Sequence, residues 1–430
     1  MSSARPPLPP GPYLVVGLAR SGRAAVEMLR PHGEVIATDS GSPEPPPAVE
    51  SHLGTDGVAL LDRVACVVKS PGVPGEAPVV AAARERGLAV LGELELAWRL
   101  LPNRFVAVTG TNGKTTTAEL LGAIHRAAGL DVAVAGNVGT PLSSLAGTLD
   151  PGAVVVCEAS SFQLEDADGF APETALLLNL EEDHLDRHGT FEAYRDAKLR
   201  IFARQSEEDA AVVPAGLEPG GRGRRVTFGP AGSDLAVANG ALAWRGEPLM
   251  DTADVRLRGA HNLENAMGAA AAALASGLDA APVAAALRTF AGVPHRLEEV
   301  ATRDGVLYVN DSKATNVSAA RRGIEAFDGG VHAILGGSLK GGGFEGLREP
   351  VSARCRTCYL VGEAADRLEA DLAGTVPLVR CGDLGTAVAE ATSAARAGEV
   401  VLLSPACASY DQYRDFEERG EHFRRLVTRA

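Results

Sequence analysis

The sequence predicts an α/β protein built from three domains. Short apolar segments alternate with segments of helical pattern along the 430 residues, which is typical of mostly parallel, doubly wound sheets. Several apolar segments end in Gly-rich or acidic turns, where such sheets bind their ligands. A chain of this length corresponds to about two or three domains. The expected order is a Rossmann-like domain, a central domain of the P-loop ATPase type and a second Rossmann-like domain.

The first predicted domain covers residues 1–97. Residues 1–12 are rich in Pro and predict a disordered tail. A strand, a turn framed by Gly17 and Gly22, a helix and a strand ending in Asp39 then form a βαβ unit. The turn lacks the middle Gly of the dinucleotide-binding pattern. It therefore does not predict a dinucleotide cofactor, and it leaves binding of another nucleotide open.

The second predicted domain covers residues 98–293 and holds the most informative turn of the chain. An apolar strand leads into the turn at residues 110–115, and a helical segment follows. Such a turn surrounds phosphates with backbone N–H groups, while Lys114 supplies positive charge and the Thr115 hydroxyl binds Mg²⁺. Because Val108 stands where the general P-loop has its first Gly, the turn matches only a shorter form. The alternative is a Gly-rich turn with no ligand.

Further strands complete the two remaining domains. The segment 226–249 predicts antiparallel strands added to the second domain. The third predicted domain, 294–430, alternates helical segments with strands at 305–310, 331–335, 357–361, 376–379 and 399–403. We expect the reaction to take place in the clefts between the domains.

Charge and targeting signals limit the class of partner. A net charge of −14 argues against a nucleic acid, although local basic residues can still bind small anions. The sequence shows neither a secretory signal nor an apolar run of membrane-spanning length, and its six Cys are scattered. We therefore expect a cytoplasmic monomer that has no stable association with membranes.

Three polar groups in the second domain are candidates for chemistry. Glu158 follows an apolar strand and suits a Mg²⁺ ligand, or it is a strand-end acid exposed to water. The loop at 179–188 contains His184 and is either a metal or proton-transfer site or an ordinary polar loop. Lys198 lies near the apolar side of a helix. The residues alone favour a side chain that extends to solvent over a modified lysine or a charge partner.

Two further groups lie in the third domain. Asp311 ends a strand, where it suits ribose hydroxyls, and Arg296 with Lys313 suits phosphate. The alternative is a loop of solvated charges. Lys340 follows another strand and suits a carboxylate, whereas Cys407 is interpreted as structural because no His motif accompanies it.

Taken in order, these motifs resemble those of the Mur ligase family, the ATP-dependent amide ligases of peptidoglycan precursor synthesis. The resemblance covers nearly the whole chain after the Pro-rich tail. Its motifs are at 110–116, 136–139, 158–163, 183–187, 261–262, 295–296 and 310–316. Segments 158–165 and 403–409 are most similar to the member that adds D-glutamate, and the Asp-Asn-Pro-Arg motif of diaminopimelate- or lysine-adding members is absent.

The resemblance implies a ligase that joins D-glutamate to UDP-N-acetylmuramoyl-L-alanine through an acyl phosphate. The implied cofactors are ATP, two Mg²⁺ ions and a CO₂-derived carbamate on Lys198. The first domain would bind the uridine nucleotide, the second ATP and the third the amino acid. Arg20 stands where relatives often carry an apolar residue, which puts its uridine contact in doubt.

The resemblance also implies roles for individual residues. The catalytic residues would be Lys114, Glu158, His184 and Lys198. Metal would be bound by Thr115, Glu158, His184 and the carbamate of Lys198. ATP would be bound by Gly110, Thr111, Asn112, Gly113, Lys114, Thr115, Thr116, Asn262, Arg296, Asp311 and Lys313. The UDP substrate would be bound by Arg20, Ser21, Asp39, Ser40, Gly72 and Asn137. D-glutamate would be bound by Thr315, Lys340, Ser409 and Phe416.

Three alternatives to this function remain at the level of sequence. A folylpolyglutamate synthase also adds glutamate with ATP, but it lacks a uridine-nucleotide domain before its P-loop. A different Mur ligase would differ in the amino acid it selects. A nucleotide-binding scaffold protein would bind ATP without releasing phosphate, and the combined presence of Lys114, Glu158, His184 and Lys198 argues against it.

Overall fold

The computed structural model describes residues 5–339 and 342–429. Within them the chain forms three sheets covered by helices, which confirms the predicted α/β class. Two compact units are present. The first comprises the described residues up to Arg256 together with His261–Phe290, and the second comprises Leu257–Ala260 with the described residues from Ala291 onward. The domain boundaries at residues 97 and 293 stay predictions. No helix of the described ranges is long and apolar enough to cross a membrane.

The first sheet of the first unit is parallel. Its elements are β1 Tyr13–Val16, α1 Arg20–Leu29, β2 Val35–Asp39, β3 Glu50–Leu53, β4 Cys66–Lys69, α2 Pro78–Glu85, β5 Ala89–Gly92 and α3 Glu93–Leu100. The strands are ordered β3-β2-β1-β4-β5, and β1 and β4 are buried along their whole length. The turn after β1 requires glycine, because a Cβ on Gly22 would lie 1.7 Å from the Gly17 carbonyl oxygen.

The second sheet also belongs to the first unit. Its elements are β6 Arg104–Thr109, α4 Lys114–Ala127, β7 Val132–Gly136, β8 Val154–Glu158, α5 Ser161–Leu164, β9 Thr174–Leu177, α6 Leu185–His188, α7 Phe191–Leu199, β10 Ala210–Pro214, β11 Arg224–Gly229, β12 Leu235–Ala238, β13 Ala241–Trp244, β14 Glu247–Asp251, α8 Ala260–Ala275 and α9 Ala280–Thr289. The strand order is β14-β13-β12-β11-β10-β9-β6-β8-β7.

The strand order of the second sheet determines where its ligand site lies. β6 is parallel to both of its neighbours, β8 and β9, so the carboxyl ends of all three strands lie at one edge. From β6 the chain passes through α4 and β7 to β8 on one side of β6, and it then continues to β9 on the other side. This reversal of direction is where open α/β sheets bind ligands.

The far end of the second sheet differs in part from the sequence prediction. β12, β13 and β14 are antiparallel as predicted for 226–249. The prediction is wrong for β11, which is parallel to both β10 and β12. Alternating apolar residues indicate a half-buried strand but not its direction, which depends on the connecting loops.

The second unit contains the third sheet. Its elements are β15 Glu298–Arg303, β16 Val306–Asn310, α10 Val317–Glu325, β17 Val331–Gly336, α11 Arg348–Arg354, β18 Cys355–Val361, α12 Ala365–Leu372, β19 Leu378–Gly382, α13 Leu384–Ala394, β20 Val400–Leu403 and α14 Phe416–Arg429. The strand order is β15-β16-β20-β17-β18-β19, and only the pairing of β15 with β16 is antiparallel among these described strands.

Residues 5–12 differ from the predicted disordered tail. The Arg5 guanidinium lies 5.1 Å from the ring centroid of Trp98 and 5.2 Å from that of Phe105. It donates to the carbonyls of Trp98 at 2.7 Å and of Asn103 at 2.5 Å, and also to that of Leu101. One arginine therefore anchors a Pro-rich segment whose composition alone predicts disorder.

We expect Arg5→Ala to lower the free energy of unfolding by about 1–3 kcal/mol, since it leaves buried carbonyls without donors. Urea denaturation of the full chain measures the change. Arg23→Ala is the control, because Arg23 is an exposed residue that donates to the Glu44 carbonyl, and its effect should stay within about 0.5 kcal/mol. Equal effects of the two variants would contradict the anchoring role of Arg5.

Candidate active site

The predicted phosphate-binding turn connects β6 to α4. Gly110 and Gly113 have φ angles of 155° and 81°, and Gly113 is the N-cap residue of α4. No side chain caps the N-terminus of this helix. Lys114 Nζ folds back over the turn and donates to the carbonyls of Gly110 at 2.9 Å and Thr111 at 3.0 Å. The turn thus presents an uncapped helix N-terminus and an ammonium group together, as an anion site requires.

The segment after β9 holds this turn in place. Asn179 accepts from the Thr111 N–H with its carbonyl at 3.1 Å and from the Asn112 N–H with its side chain at 2.9 Å. Glu181 accepts from the Asn112 side chain at 2.8 Å, and its own N–H donates to Thr111 Oγ1 at 3.0 Å. These contacts fix the backbone of the turn without using the N–H groups at the start of α4.

Helix α8 approaches the same turn. A Cβ added to Gly113 would lie 2.0 Å from Asn265 Oδ1, so glycine is required for this close packing. Asn265 Nδ2 donates to Asn262 Oδ1 at 3.1 Å, and both side chains are buried. The structure therefore places Asn262, a predicted ATP-binding residue, within one hydrogen bond of a side chain that touches the turn.

Glu158 ends β8 beside this turn. The residue is 3% exposed, and Asn137 Nδ2 donates to its carboxylate at 3.0 Å. The Asn137 N–H also donates to the Glu158 carbonyl at 2.9 Å. The structure contradicts the alternative of a solvent-exposed acid and joins two predicted site residues: Glu158 ends β8, and Asn137 directly follows the neighbouring strand β7.

Lys198 on α7 is buried, and this corrects the interpretation that its side chain extends to solvent. Its side chain is 1% exposed, and Nζ donates to the Gly110 carbonyl at 2.8 Å. Burial, with the nearby charge of Lys114 as a second cause, lowers the pKa of Lys198 to about 7. Near neutral pH much of this amine is therefore uncharged and nucleophilic.

Tyr194 and His184 complete the group around Lys198. Nζ of Lys198 lies 4.6 Å from the ring centroid of Tyr194, whose hydroxyl donates to Thr111 Oγ1 at 3.1 Å. The His184 ring lies 6.4 Å from that of Tyr194 and 4.9 Å from that of Phe162. His184 has a φ of 51° and a half-exposed side chain, so its ring is accessible to a ligand.

These residues fit a nucleoside triphosphate with Mg²⁺. The glycine cradle that a Cβ would fill, the uncapped helix and Lys114 suit the phosphates. Mg²⁺ is usually bound by one or two carboxylates together with phosphates, and Glu158 with the Thr115 hydroxyl provides ligands of that kind. Among residues 5–339 and 342–429, no three His, Cys, Asp or Glu side chains are grouped so that they could hold a metal ion.

In the second unit, Asp311 is the centre of a further polar group. It accepts from Ser404 Oγ at 2.7 Å and from the Leu297 N–H at 3.2 Å. Burial raises the pKa of Asp311 to about 7, against the opposing effects of Ser404 and Arg296. Lys313 Nζ lies 5.7 Å from the ring centroid of Phe416. The structure thus groups predicted ATP-binding and amino-acid-binding residues, and it contradicts the alternative of a solvated loop for Asp311.

Arg419 on α14 connects the strand ends of the second unit. This buried guanidinium donates to the Ser312 carbonyl at 2.8 Å, to that of Cys407 at 3.1 Å and to that of Ala408 at 3.2 Å. Ser312 Oγ in turn donates to the Phe416 carbonyl at 2.8 Å. Arg419 therefore fixes the loops after β16 and β20.

The predicted D-glutamate residues lie in or beside these loops, with one exception. Ser409 directly follows Ala408 and is buried, Phe416 begins α14, and Thr315 lies before α10. Lys340 lies outside the described residues.

The predicted UDP-substrate residues of the first domain lie at the carboxyl edge of the first sheet, whereas Asn137 directly follows β7 of the second sheet. Asp39 ends β2 and accepts from the N–H groups of Leu18 at 2.7 Å and Gly41 at 2.8 Å. Arg20 donates to the Gly139 carbonyl at 2.6 Å. The others are Ser21 on α1, Ser40 after β2 and Gly72 after β4. Their contacts with a nucleotide stay predictions.

Several supporting residues were not predicted as site residues. Asn265 lies three residues after Asn262, so helical spacing could have placed both on one face. Tyr194 and Asn179 stand in segments that were singled out, but nothing in their spacing indicates a contact with Thr111. Arg419 gives no signal in the sequence, because it is one of many charged residues in a helical segment.

The site combines a P-loop helix without a side-chain cap, a carboxylate at the end of the neighbouring strand β8 and a buried lysine whose pKa is lowered towards neutral pH. This combination defines a nucleotide-dependent α/β enzyme. Comparison with family models narrows the class. Residues 108–273 match the Mur ligase middle domain, and residues 295–407 match the glutamate ligase domain of Mur ligases. The chain belongs to the Mur ligase family.

Curated relatives and solved structures agree with this assignment. The UDP-N-acetylmuramoylalanine–D-glutamate ligase of Acidobacterium capsulatum is 41% identical and covers 96% of this chain and 95% of its own. That of Geobacillus kaustophilus is 40% identical, with 95% and 96% covered. The UDP-N-acetylmuramate-alanine ligase of Thermotoga maritima shares the fold with a TM-score of 0.61 at 18% identity, covering 97% of this chain and 99% of its own.

We expect Gly113→Ala to reduce turnover at least about a hundredfold, because the new methyl group would displace the turn or Asn265. Gly129→Ala is the matched control: Gly129 also has a positive φ, of 74°, but an added Cβ meets nothing within 4 Å. Both variants carry the backbone strain of alanine at positive φ. Comparable turnover in the two variants, at similar melting temperature, would show that the contact with Asn265 does not matter.

Proposed function

We propose that this protein is the ATP-dependent ligase that joins D-glutamate to UDP-N-acetylmuramoyl-L-alanine through an acyl phosphate. The observation that carries the proposal is the sharing of the Gly110 carbonyl by Lys114 and Lys198 at the P-loop. This arrangement places a cation suited to phosphate beside an amine whose pKa is close to neutral pH. Relatives about 40% identical over nearly the whole chain carry the name of that activity.

In the first step of the proposed reaction the L-alanyl carboxylate attacks the γ-phosphate of ATP, the bond from the γ-phosphorus to the bridging oxygen breaks, and an acyl phosphate and ADP form. Phosphoryl transfer depends on positioning and on neutralisation of charge. Lys114 and the N–H groups of α4 would bind the phosphates. Glu158 would hold Mg²⁺, whose charge would stabilise the oxygens of the transferred phosphoryl group. Asn137 orients the Glu158 carboxylate through the hydrogen bond at 3.0 Å.

Lys198 contributes in a different way. The uncharged amine adds to the carbon of CO₂ and releases a proton, which gives an anionic carbamate whose oxygens can bind a metal ion. We propose that carbamylated Lys198 and His184 hold a second Mg²⁺. The support is the burial of Lys198, its pKa of about 7 and the accessible ring of His184.

In the second step the D-glutamate amine attacks the carbonyl carbon of the acyl phosphate and loses a proton, and the tetrahedral intermediate collapses to the amide and inorganic phosphate. The residues proposed to bind D-glutamate are Thr315, Lys340, Ser409 and Phe416. The residues of the same unit proposed to bind ATP are Asp311, Arg296 and Lys313. Arg419 supports the loops that carry Ser409 and Phe416.

The setting of the reaction follows from its chemistry. We propose the cytoplasm, where ATP is available, and the six free cysteines suit a reducing compartment. We further propose that the protein is a monomer of three domains, which bind the uridine nucleotide, ATP and the amino acid in that order. The boundaries between them would lie at residues 97 and 293.

The proposed function is tested by phosphate release from ATP in the presence of Mg²⁺. Release should require both UDP-N-acetylmuramoyl-L-alanine and D-glutamate, and L-glutamate and meso-diaminopimelate should not replace D-glutamate. Lys114→Ala should lower turnover about a thousandfold or more because it removes charge stabilisation of the transferring phosphoryl group.

The outcomes of this assay separate the alternatives. Preference for another amino acid would identify a different Mur ligase. Binding of ATP without release of phosphate would favour a scaffold protein. Near-normal turnover of folded Lys114→Ala would refute the phosphate role of Lys114.

The carbamate is expected to depend on pH. Because Lys198 has a pKa of about 7, its amine is mostly neutral at pH 8 and mostly protonated at pH 6. With ¹³C-bicarbonate, a carbamate resonance should therefore appear at pH 8, weaken towards pH 6 and be absent from Lys198→Ala. Full activity without that resonance would contradict the proposal.

A further inference from the structure

A buried ionic group, which we call the Lys69 cluster, lies in the first unit and consists of Lys69, Arg84 and Asp166. Lys69 Nζ lies 2.6 Å from Asp166 Oδ2, and the two side chains are 1% and 4% exposed. Arg84 Nη2 lies 2.9 Å from the other oxygen, Asp166 Oδ1. Each oxygen therefore has its own cation, which fixes the orientation of the carboxylate.

The presence of lysine at position 69 is informative because this chain rarely uses lysine. Of 41 Lys and Arg residues, the sequence has Lys only at 69, 114, 198, 313 and 340. All except Lys69 are candidate site residues. Burial of an ammonium charge is costly unless it is paired, and a guanidinium differs from a compact ammonium in shape and in hydrogen-bonding geometry.

On one side the Lys69 cluster holds the loop at residues 70–75. Lys69 Nζ donates to the Val73 carbonyl at 2.9 Å, and Arg84 Nη1 donates to the Gly75 carbonyl at 3.1 Å. Gly72 directly precedes Val73, the first of these anchors, and a Cβ added to it would meet nothing within 4 Å. Two hydrogen bonds thus hold the loop on the side of the cluster, while the middle of the loop faces open space.

On the other side the cluster is joined to the catalytic edge of the second sheet. Asp166 follows α5, which begins three residues after Glu158 and is fixed by a capping box between Ser160 and Gln163. Glu165, next to Asp166, pairs with Arg187 at 3.3 Å and His188 at 3.1 Å. One short segment therefore contacts both the two cations that hold the 70–75 loop and the helix that follows His184.

We propose that Lys69, with Asp166 and Arg84, is a positioning residue for the uridine-nucleotide end of the substrate. It holds the 70–75 loop in the conformation that receives the nucleotide, at a fixed position relative to the segment after Glu158. The inference rests on the proposed function, because it takes the 70–75 loop as part of the uridine site. Lys69 does not touch the nucleotide, since its ammonium is enclosed by Asp166 and the Val73 carbonyl.

The test is steady-state kinetics of the full-length protein with UDP-N-acetylmuramoyl-L-alanine, ATP and D-glutamate varied in turn. The variants are Arg84→Met, whose side chain is half exposed, and the double variant Lys69→Met/Asp166→Asn, which removes both buried charges together. We expect KM for the UDP substrate to rise about tenfold, while kcat and the other two KM values stay within about twofold.

The matched control is the double variant Glu95→Gln/Arg99→Met. This pair, at 2.7 Å, is also largely buried and joins α3 to the Gly169 N–H, but none of its contacts reaches the 70–75 loop. Its KM for the UDP substrate should not change. An unchanged KM in the Lys69 cluster variants, or a common change in kcat and all three KM values, would overturn the inference.

Calorimetric binding of the UDP substrate without ATP separates this inference from the proposed function. If the wild type binds the nucleotide but releases no phosphate, the proposed function fails, and the ratio of Kd between variant and wild type still decides the role of Lys69. A tenfold weaker Kd in the variants would support that role, and an equal Kd would refute it. If the wild type does not bind the nucleotide, both proposals fail.

Discussion

The Gly110 carbonyl oxygen is the point on which the site depends, because two lysine side chains donate to it. Lys114 approaches at 2.9 Å and Lys198 at 2.8 Å, and Lys198 is enclosed by protein. Burial is the main cause of the lowered pKa of Lys198, and the nearby charge of Lys114 lowers it further. The turn proposed to bind phosphate and the amine proposed to react with CO₂ are therefore parts of one electrostatic arrangement in this member of the Mur ligase family.

The sequence could predict those features of fold and site that depend on local pattern. The P-loop follows from glycine spacing after a strand, and Glu158 follows from its place at the next strand end. The burial of Lys198 could not be predicted, because helical spacing places it near an apolar face without showing what covers that face. The direction of β11 and the carbonyl contacts of Arg419 depend on residues distant in sequence, and no local pattern records them.

Supporting contacts in the first unit converge on short segments rather than on long helices. Residues 158–166 run from the Glu158 carboxylate through α5 to Asp166, with a capping box in between. Asn179 and Glu181, which follow β9, hold the P-loop by accepting hydrogen bonds from Asn112. In both cases the groups proposed to bind substrate are held by neighbours placed immediately after a strand. Such positions suit catalysis, because strand ends are rigid and loop side chains are free to differ in chemistry.

The anchoring of Arg5 has a consequence for dissecting this protein into fragments. Its partners, Trp98, Leu101 and Asn103, lie beyond residue 97, although Arg5 itself precedes β1. A fragment that ends at residue 97 would lose these partners, together with the aromatic faces on which the guanidinium rests. An expression fragment of the first sheet therefore needs to continue through Phe105, which is itself part of β6. β6, the first strand of the second sheet, thus also completes the packing of the first sheet.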